Sequence, residues 1–134
     1  MSFDLFFGCF ENGQEATFPR DLLETEFGPY ILRREATCLI LDFGANGQSL
    51  LYCDQTDHLH GFTINRPCVA PELFRAAFAL LRRATLVLMV PGNCPPLVGL
   101  PEHSSHVPAS MAAALGPPAV LNSPEEILDW IKQA

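Results

Sequence analysis

Four histidines and one cysteine of this sequence could form a catalytic or metal-binding site if the fold brought their side chains together. They are His58, His60, Cys94, His103 and His106. Imidazole nitrogen and thiolate sulfur are the ligands that zinc takes in tetrahedral sites. These five residues come from two separate segments, however, and the chain has neither a Cys-x-x-Cys nor a His-Glu-x-x-His spacing. We therefore predict no metal and no other cofactor, and keep a small enzyme or a ligand- or metal-binding domain built on these five residues as the alternative.

Cys94 could instead act as a nucleophile, with His103 or His106 as its base. A reactive thiol needs a nearby positive charge or a helix amino terminus, because either stabilises the thiolate. Cys94 is followed by two prolines, and no Lys or Arg occurs between Arg83 and Lys132. The sequence therefore favours an unreactive thiol at this position.

The chain carries no other pattern typical of catalysis. The phosphate-binding spacings Gly-x-Gly-x-x-Gly and Gly-x-x-x-x-Gly-Lys-Ser/Thr do not occur, and neither does Gly-x-Ser-x-Gly. The adjacent carboxylates Glu125 and Glu126 follow Ser123 and Pro124, which is the signature of a helix amino terminus. We predict no catalytic residue, and the absence of these patterns favours a binding protein over an enzyme without deciding between them.

The stretch "GFTINRPC" joins a predicted strand to a predicted helix and admits two interpretations. In the structural one, Asn65 satisfies free backbone groups at the turn, and Arg66 pairs with an acid of the first helix. In the functional one, Arg66 binds a carboxylate or phosphate of a partner through two hydrogen bonds. Turn chemistry favours the structural interpretation, and we keep Asn65 and Arg66 as candidate partner-binding residues.

The spacing of apolar residues predicts about five to six strands and three to four helices in the order β-α-β-β-β-α-β-α-β-α. The strand segments are "SFDLFFGCF", "ATCLILDF", "SLLYCD", "LHGFTINR", "TLVLMV" and "AVLN", and the helical ones are "FPRDLLETEFG", "APELFRAAFALLRRA", "ASMAAAL" and "SPEEILDWIKQA". This pattern predicts one α+β domain over residues 1–134, with a mainly antiparallel sheet and helices largely on one face. A four-residue "GANG" hairpin would place Cys38 opposite Cys53.

The segment "PGNCPPLVGLPEHSSHVP" is too rich in proline and glycine for a regular element, so we predict a long loop. Exposed apolar side chains in such a loop would form a contact patch for a protein partner. The candidate residues are Leu97, Val98 and Leu100.

Composition limits the partners. The 134 residues carry a net charge of −7, so the average field repels a nucleic acid or an anionic membrane, and we predict that neither is a partner. The longest apolar run is interrupted well short of a membrane span. No export signal is recognisable and five cysteines are present, which indicates reduced thiols and a cytoplasmic protein.

The segments "MSFDLFF", "FPRDLL", "GFTINRP", "PELFRAAFALLRR" and "ALGPPAVLNSPEEI" together are similar to small uncharacterised bacterial proteins of about this length. The resemblance spans most of the chain and implies shared strands, turns and caps, but it supplies no catalytic residue. Some acidic α+β proteins of this size from bacteria are immunity proteins that cover a cognate toxin, an analogy of size and fold alone. We expect a non-catalytic protein-binding domain, of immunity or accessory type, whose partner is another protein or a second copy in a homodimer.

Overall fold

Eleven strands and four α-helices follow one another in the computed structural model, which describes residues 4–134. The strands are β1 Asp4–Glu11, β2 Gln14–Glu15, β3 Phe18–Pro19, β4 Ile31–Arg34, β5 Cys38–Asp42, β6 Gln48–Tyr52, β7 His58–Leu59, β8 Gly61–Asn65, β9 Leu86–Met89, β10 Leu97–Val98 and β11 Ala119–Val120. The helices are α1 Arg20–Phe27, α2 Pro71–Arg83, α3 Ala109–Leu115 and α4 Glu125–Gln133. Short 3₁₀ helices occupy Gly28–Tyr30, Gly44–Asn46 and Pro101–His106.

Most of these strands join one mixed sheet in the order β11-β10-β9-β1-β8-β6-β5-β4, with β2 paired to the end of β1. All of the pairings are antiparallel except that between β10 and β11. Strands β3 and β7 form a separate short ladder. The predicted α+β class, the mainly antiparallel sheet and the order of the main elements are confirmed. The additional strands are short, and four of them have only two residues.

One face of the sheet carries the main hydrophobic core. Alternate residues of β1 point to it, so Leu5 and Phe7 are buried while Phe6 between them is not. The Phe7 ring stacks on that of Phe62 in β8, with centroids 4.3 Å apart. Helices α1, α2 and α4 cover this face with their own apolar side chains, Leu23 and Ile127 among them.

The opposite face carries a smaller apolar cluster at one end. Val87, Val98 and Val107 form a second, smaller apolar cluster with Met111 of α3 and Met89. The 3₁₀ helix Pro101–His106 and α3 therefore cover the end of the sheet that contains β9 and β10. The rest of this face, across β1, β8, β6 and β5, has no helix over it among the described residues.

Two predictions about the loop and the hairpin are wrong. Leu97 and Val98 are 0% exposed, because they form strand β10 between β9 and β11 rather than a free loop, and Leu100 is half-buried. Cys38 pairs with Tyr52, since Asp42 is already opposite Gln48 and five residues connect the two strands. The Cys53 N–H donates to the Thr37 carbonyl, so the two thiols point to opposite faces.

The close approach of Gly99 to helix α2 tests this packing. A Cβ at Gly99 would lie 2.5 Å from the backbone carbon of Leu81, a contact that only a backbone shift could relieve. We expect Gly99→Ala to lower the free energy of unfolding by about 1–3 kcal/mol or more. Urea unfolding followed by Trp130 fluorescence measures the change. Gly28→Ala is the matched control, because its Cβ would meet nothing within 4 Å. An equal loss in both variants would contradict the assigned contact.

Candidate functional site

The structure does not bring the five candidate histidine and cysteine side chains together. His58 lies on β7 opposite Pro19, whereas His103 and His106 lie in the 3₁₀ helix that follows β10. Within residues 4–134 there is no group of three or more His, Cys, Asp or Glu side chains that could hold a metal ion. The alternative site, in which all five residues would converge, is therefore not formed.

His106 fixes a turn. Its Nδ1 atom accepts a hydrogen bond from the Asn12 N–H at 3.0 Å, and its carbonyl accepts one from the Gly13 N–H at 3.1 Å. Asn12 and Gly13 have φ of 53° and 81°, the left-handed conformation that a tight two-residue hairpin turn requires. His106 thus ties the β1–β2 turn to the 3₁₀ helix, a structural role for a residue considered as a ligand.

His103 lies against the carboxyl-terminal end of α2. Burial lowers the pKa of its imidazole, and a hydrogen bond with the Leu81 carbonyl partly opposes that effect. The charge of Glu102 also raises this pKa, while His106 and Arg82 lower it. The Nδ1 atom is buried and has no hydrogen-bond partner among the described residues. His103 therefore has a packing role at the carboxyl-terminal end of α2.

Cys94 is buried as well, with 4% of its surface exposed. Its Sγ lies 3.3 Å from the Pro95 carbonyl oxygen, and burial raises the pKa of the thiol. Burial therefore disfavours the thiolate that a nucleophile or zinc ligand requires.

The turn after β8 has a structural role, as the sequence favoured. The contacts that stabilise it differ from the expected ones. Arg66 has a φ of 51°, and its carbonyl accepts a hydrogen bond from the buried Ser49 hydroxyl, which in turn accepts one from the Cys68 N–H. The Asn65 amide donates to Asp4 at 2.7 Å. The expected pairing of Arg66 with an acid of α1 is wrong.

Two of the three acids of α1, Glu24 and Glu26, have other partners. Glu24 pairs with Arg20 and with both terminal nitrogens of Arg34, and Glu26 pairs with Arg83. The hydrogen bond from Arg34 lowers the pKa of the Glu24 carboxyl. A polar pocket of about 290 Å³ adjoins Arg20 and Arg34, but Glu24 already engages both guanidinium groups. The pocket therefore offers no unpaired cation for an anionic ligand.

The uncovered face of the sheet contains a row of cross-strand neighbours. Met89 pairs with Phe6, Phe6 with Thr63, Thr63 with Tyr52, and Tyr52 with Cys38. Directly opposed residues project from the same face, so these five side chains form one line across β9, β1, β8, β6 and β5. Phe6 and Tyr52 are each 41% exposed. We call this line the aromatic row.

A broad depression of about 740 Å³ lies over the aromatic row. Its lining includes Phe6, Tyr52, Thr63 and Met89 from the row, and its far wall includes residues 36–37 and 53–55. Among the described residues that line it, Asp54 is the one carboxylate and no Lys or Arg is present. The site is thus apolar at its centre, with an acidic group at its edge.

Comparisons with known proteins identify no relative of this chain. No family model matches the chain, and neither the curated proteins nor the solved structures give a match. In the part of the chain that the structure describes, no helix combines the length and the apolar character needed to cross a membrane.

Ser49 provides a test of the turn after β8. Ser49→Ala would leave the partly buried Cys68 N–H and the Arg66 carbonyl without their partner, so we expect a loss of about 1–3 kcal/mol of stability. Chemical denaturation measures it. Ser110→Ala, at an exposed position of α3, is the control and should change stability by less than about 0.5 kcal/mol. A Ser49 variant as stable as the parent would show that the bridge is not formed.

His103 predicts a pH dependence of stability. Its pKa is lowered by folding, so the unfolded chain binds the proton more readily. Stability is therefore complete above the ordinary histidine pKa of about 6.5 and falls as the pH drops through that value toward the lowered one. We expect His103→Gln to reduce the stability lost between about pH 8 and pH 5.5, as measured by chemical denaturation at a series of pH values. An unchanged pH profile in His103→Gln would contradict the assignment.

Proposed function

We propose that this chain is a non-catalytic protein-binding domain whose contact surface is the aromatic row and the depression over it. The observation that supports this most directly is the exposure of Phe6 and Tyr52 on one uncovered sheet face. Aromatic residues and methionine are enriched at the centres of protein interfaces, where their large apolar surfaces are buried on binding. A cytoplasmic location, suggested by the cysteine content of the sequence, belongs to the same proposal.

The shape of the site favours a protein over a small ligand. Four strand spacings of about 4.8 Å make the aromatic row about 19 Å long, which suits a broad contact. The depression is open, and its aromatic rings are about 10 Å apart rather than gathered around one enclosed cavity. A partner with protruding apolar side chains would bury both rings.

The charges favour a basic partner. Asp54 lines the depression, and Asp4 lies one pleat further along β1 on the same face, hydrogen-bonded to Asn65. With a net charge of −7, the domain attracts a cationic protein and repels a polyanion such as nucleic acid. Asn65, kept from the sequence as a candidate binding residue, is therefore beside the proposed contact. Binding of a basic protein is also what an immunity-type or accessory role would require.

The double variant Phe6→Thr/Tyr52→Thr tests the proposal, since threonine keeps the strand propensity while removing both rings. Partners are captured on the immobilised parent chain, identified, and titrated against the parent and variants by calorimetry. We expect the double variant to bind at least about thirtyfold more weakly, the effect of losing two central aromatic anchors.

Leu115→Thr is the matched control, because Leu115 is 44% exposed on α3 and is not among the residues that line the depression. It should bind as the parent does. The proposal would be contradicted if the parent and the double variant bind equally well. It would also be contradicted if none of the captured proteins requires the two rings for binding.

A further inference from the structure

A third, smaller pocket lies in the helical layer, on the other side of the sheet from the aromatic row. It lies between the start of α2 and α4 and has a volume of about 230 Å³. The apolar part of its lining comes from Val69, Pro71, Phe74, Pro124 and Leu128. This volume is below the range of about 300–1,000 Å³ that small-molecule sites occupy, so the pocket suits a single large apolar side chain.

One wall of this pocket is unusually exposed. Val69 is 66% exposed, more than any other large hydrophobic side chain in the described part of the chain, whereas Phe74 at the base of the pocket is 5% exposed. An apolar side chain entering the pocket would cover Val69 and extend the packing of Phe74. The intramolecular contacts of the domain leave this surface uncovered.

Two carboxylates border the pocket on α4. Glu125 and Asp129 are one helical turn apart, both are exposed, and neither forms an ion pair within residues 4–134. Like charges at this spacing destabilise a helix, and only Glu125 lies in the first turn, where the helix dipole compensates. Glu126 between them has a different task, since its carboxylate accepts the Asn122 N–H at 2.9 Å. The pocket is therefore apolar with a negatively charged rim.

The edge strand β4 presents the complementary chemistry on the same molecule. Leu32 is 59% exposed, and the side chain of its neighbour Arg33 is 69% exposed. Arg33 contacts Glu35 only at 3.5 Å, so its guanidinium is available to another carboxylate. A shift in the pairing of β4 with β5 between Ile31 and Arg33 interrupts the regular ladder at this point. Strand β4 thus offers an apolar side chain next to a cation.

We propose that the α2–α4 pocket of one molecule binds strand β4 of a second copy, with Leu32 in the pocket and Arg33 beside Glu125 and Asp129. Local charge complementarity supports this contact despite the net negative charge, because charges more than about 8 Å apart are largely screened at physiological ionic strength. The contact joins two different surfaces, so it is head-to-tail: the molecule that gives its pocket keeps an unused strand edge, and the molecule that gives its strand keeps an unused pocket. One anchor side chain makes a weak association.

Sedimentation velocity from about 10 µM to about 1 mM tests the proposal, the range in which a contact of this size would associate. We expect the parent chain to associate as its concentration rises. The pocket variant Glu125→Gln/Asp129→Asn and the strand variant Leu32→Ser/Arg33→Ser should each remain monomeric at concentrations where the parent associates. All four positions are exposed, so the variants should fold, which their unfolding curves verify.

Mixing the two variants provides the decisive measurement. The strand variant retains an intact pocket and the pocket variant retains an intact β4, so an equimolar mixture should form one-to-one dimers and nothing larger. A mixture that remains monomeric would overturn the proposal, as would a parent that remains monomeric at the highest concentration.

Two controls separate other causes. Glu11→Gln/Glu15→Gln removes the same charge from exposed positions on β1 and β2, and should associate as the parent does. Phe6→Thr/Tyr52→Thr should also associate, because the aromatic row is not part of this contact. Loss of association in the first control would assign the effect to net charge, and loss in the second would assign it to the sheet face. Either result would overturn the proposal.

Discussion

Strand β1 lies between β8 and β9, and its cross-strand pairs determine where the other features lie. On one face, Leu5 and Phe7 enter the main core, where Phe7 stacks on Phe62. On the other face, Phe6 takes its place in the aromatic row between Met89 and Thr63. Because side chains of a strand alternate strictly, the burial of Phe7 and the exposure of Phe6 are one constraint. The proposed contact surface is thus a consequence of how the core is built.

The sequence was sufficient to predict the elements in which a regular apolar pattern extends over many residues. Helix α2 shows a wide apolar stripe over thirteen residues, and the structure has it at Pro71–Arg83. The segment "SFDLFFGCF" likewise was predicted as a strand, and the alternation of its residues defines the two faces of β1. Which face would remain uncovered was not predictable, because it depends on where α3 packs, and that contact joins residues far apart in the chain. Phe6 therefore could be assigned to a face but not identified as exposed.

Short elements were the ones that sequence reasoning missed. Leu97 and Val98 stand among prolines, and a two-residue apolar run has no period that distinguishes a loop from an interior strand. They are buried because β9 and β11 pair with them on either side. The position of Cys53 depended on one residue of connection length between β5 and β6. The ion pair expected between Arg66 and α1 is absent, and Glu24 of that helix pairs with Arg20 and Arg34 instead.

The position of β1 also affects how this chain folds during its synthesis. Its two neighbours, Gly61–Asn65 and Leu86–Met89, are made about fifty to eighty residues later. At about 5–20 residues per second, a ribosome would need several seconds to complete β9 after β1. Through that interval Leu5 and Phe7 have no core to enter, and the strand has two open edges. Until β8 and β9 close the sheet around it, β1 is an extended apolar segment with unpaired backbone groups, the kind of segment that promotes aggregation during synthesis.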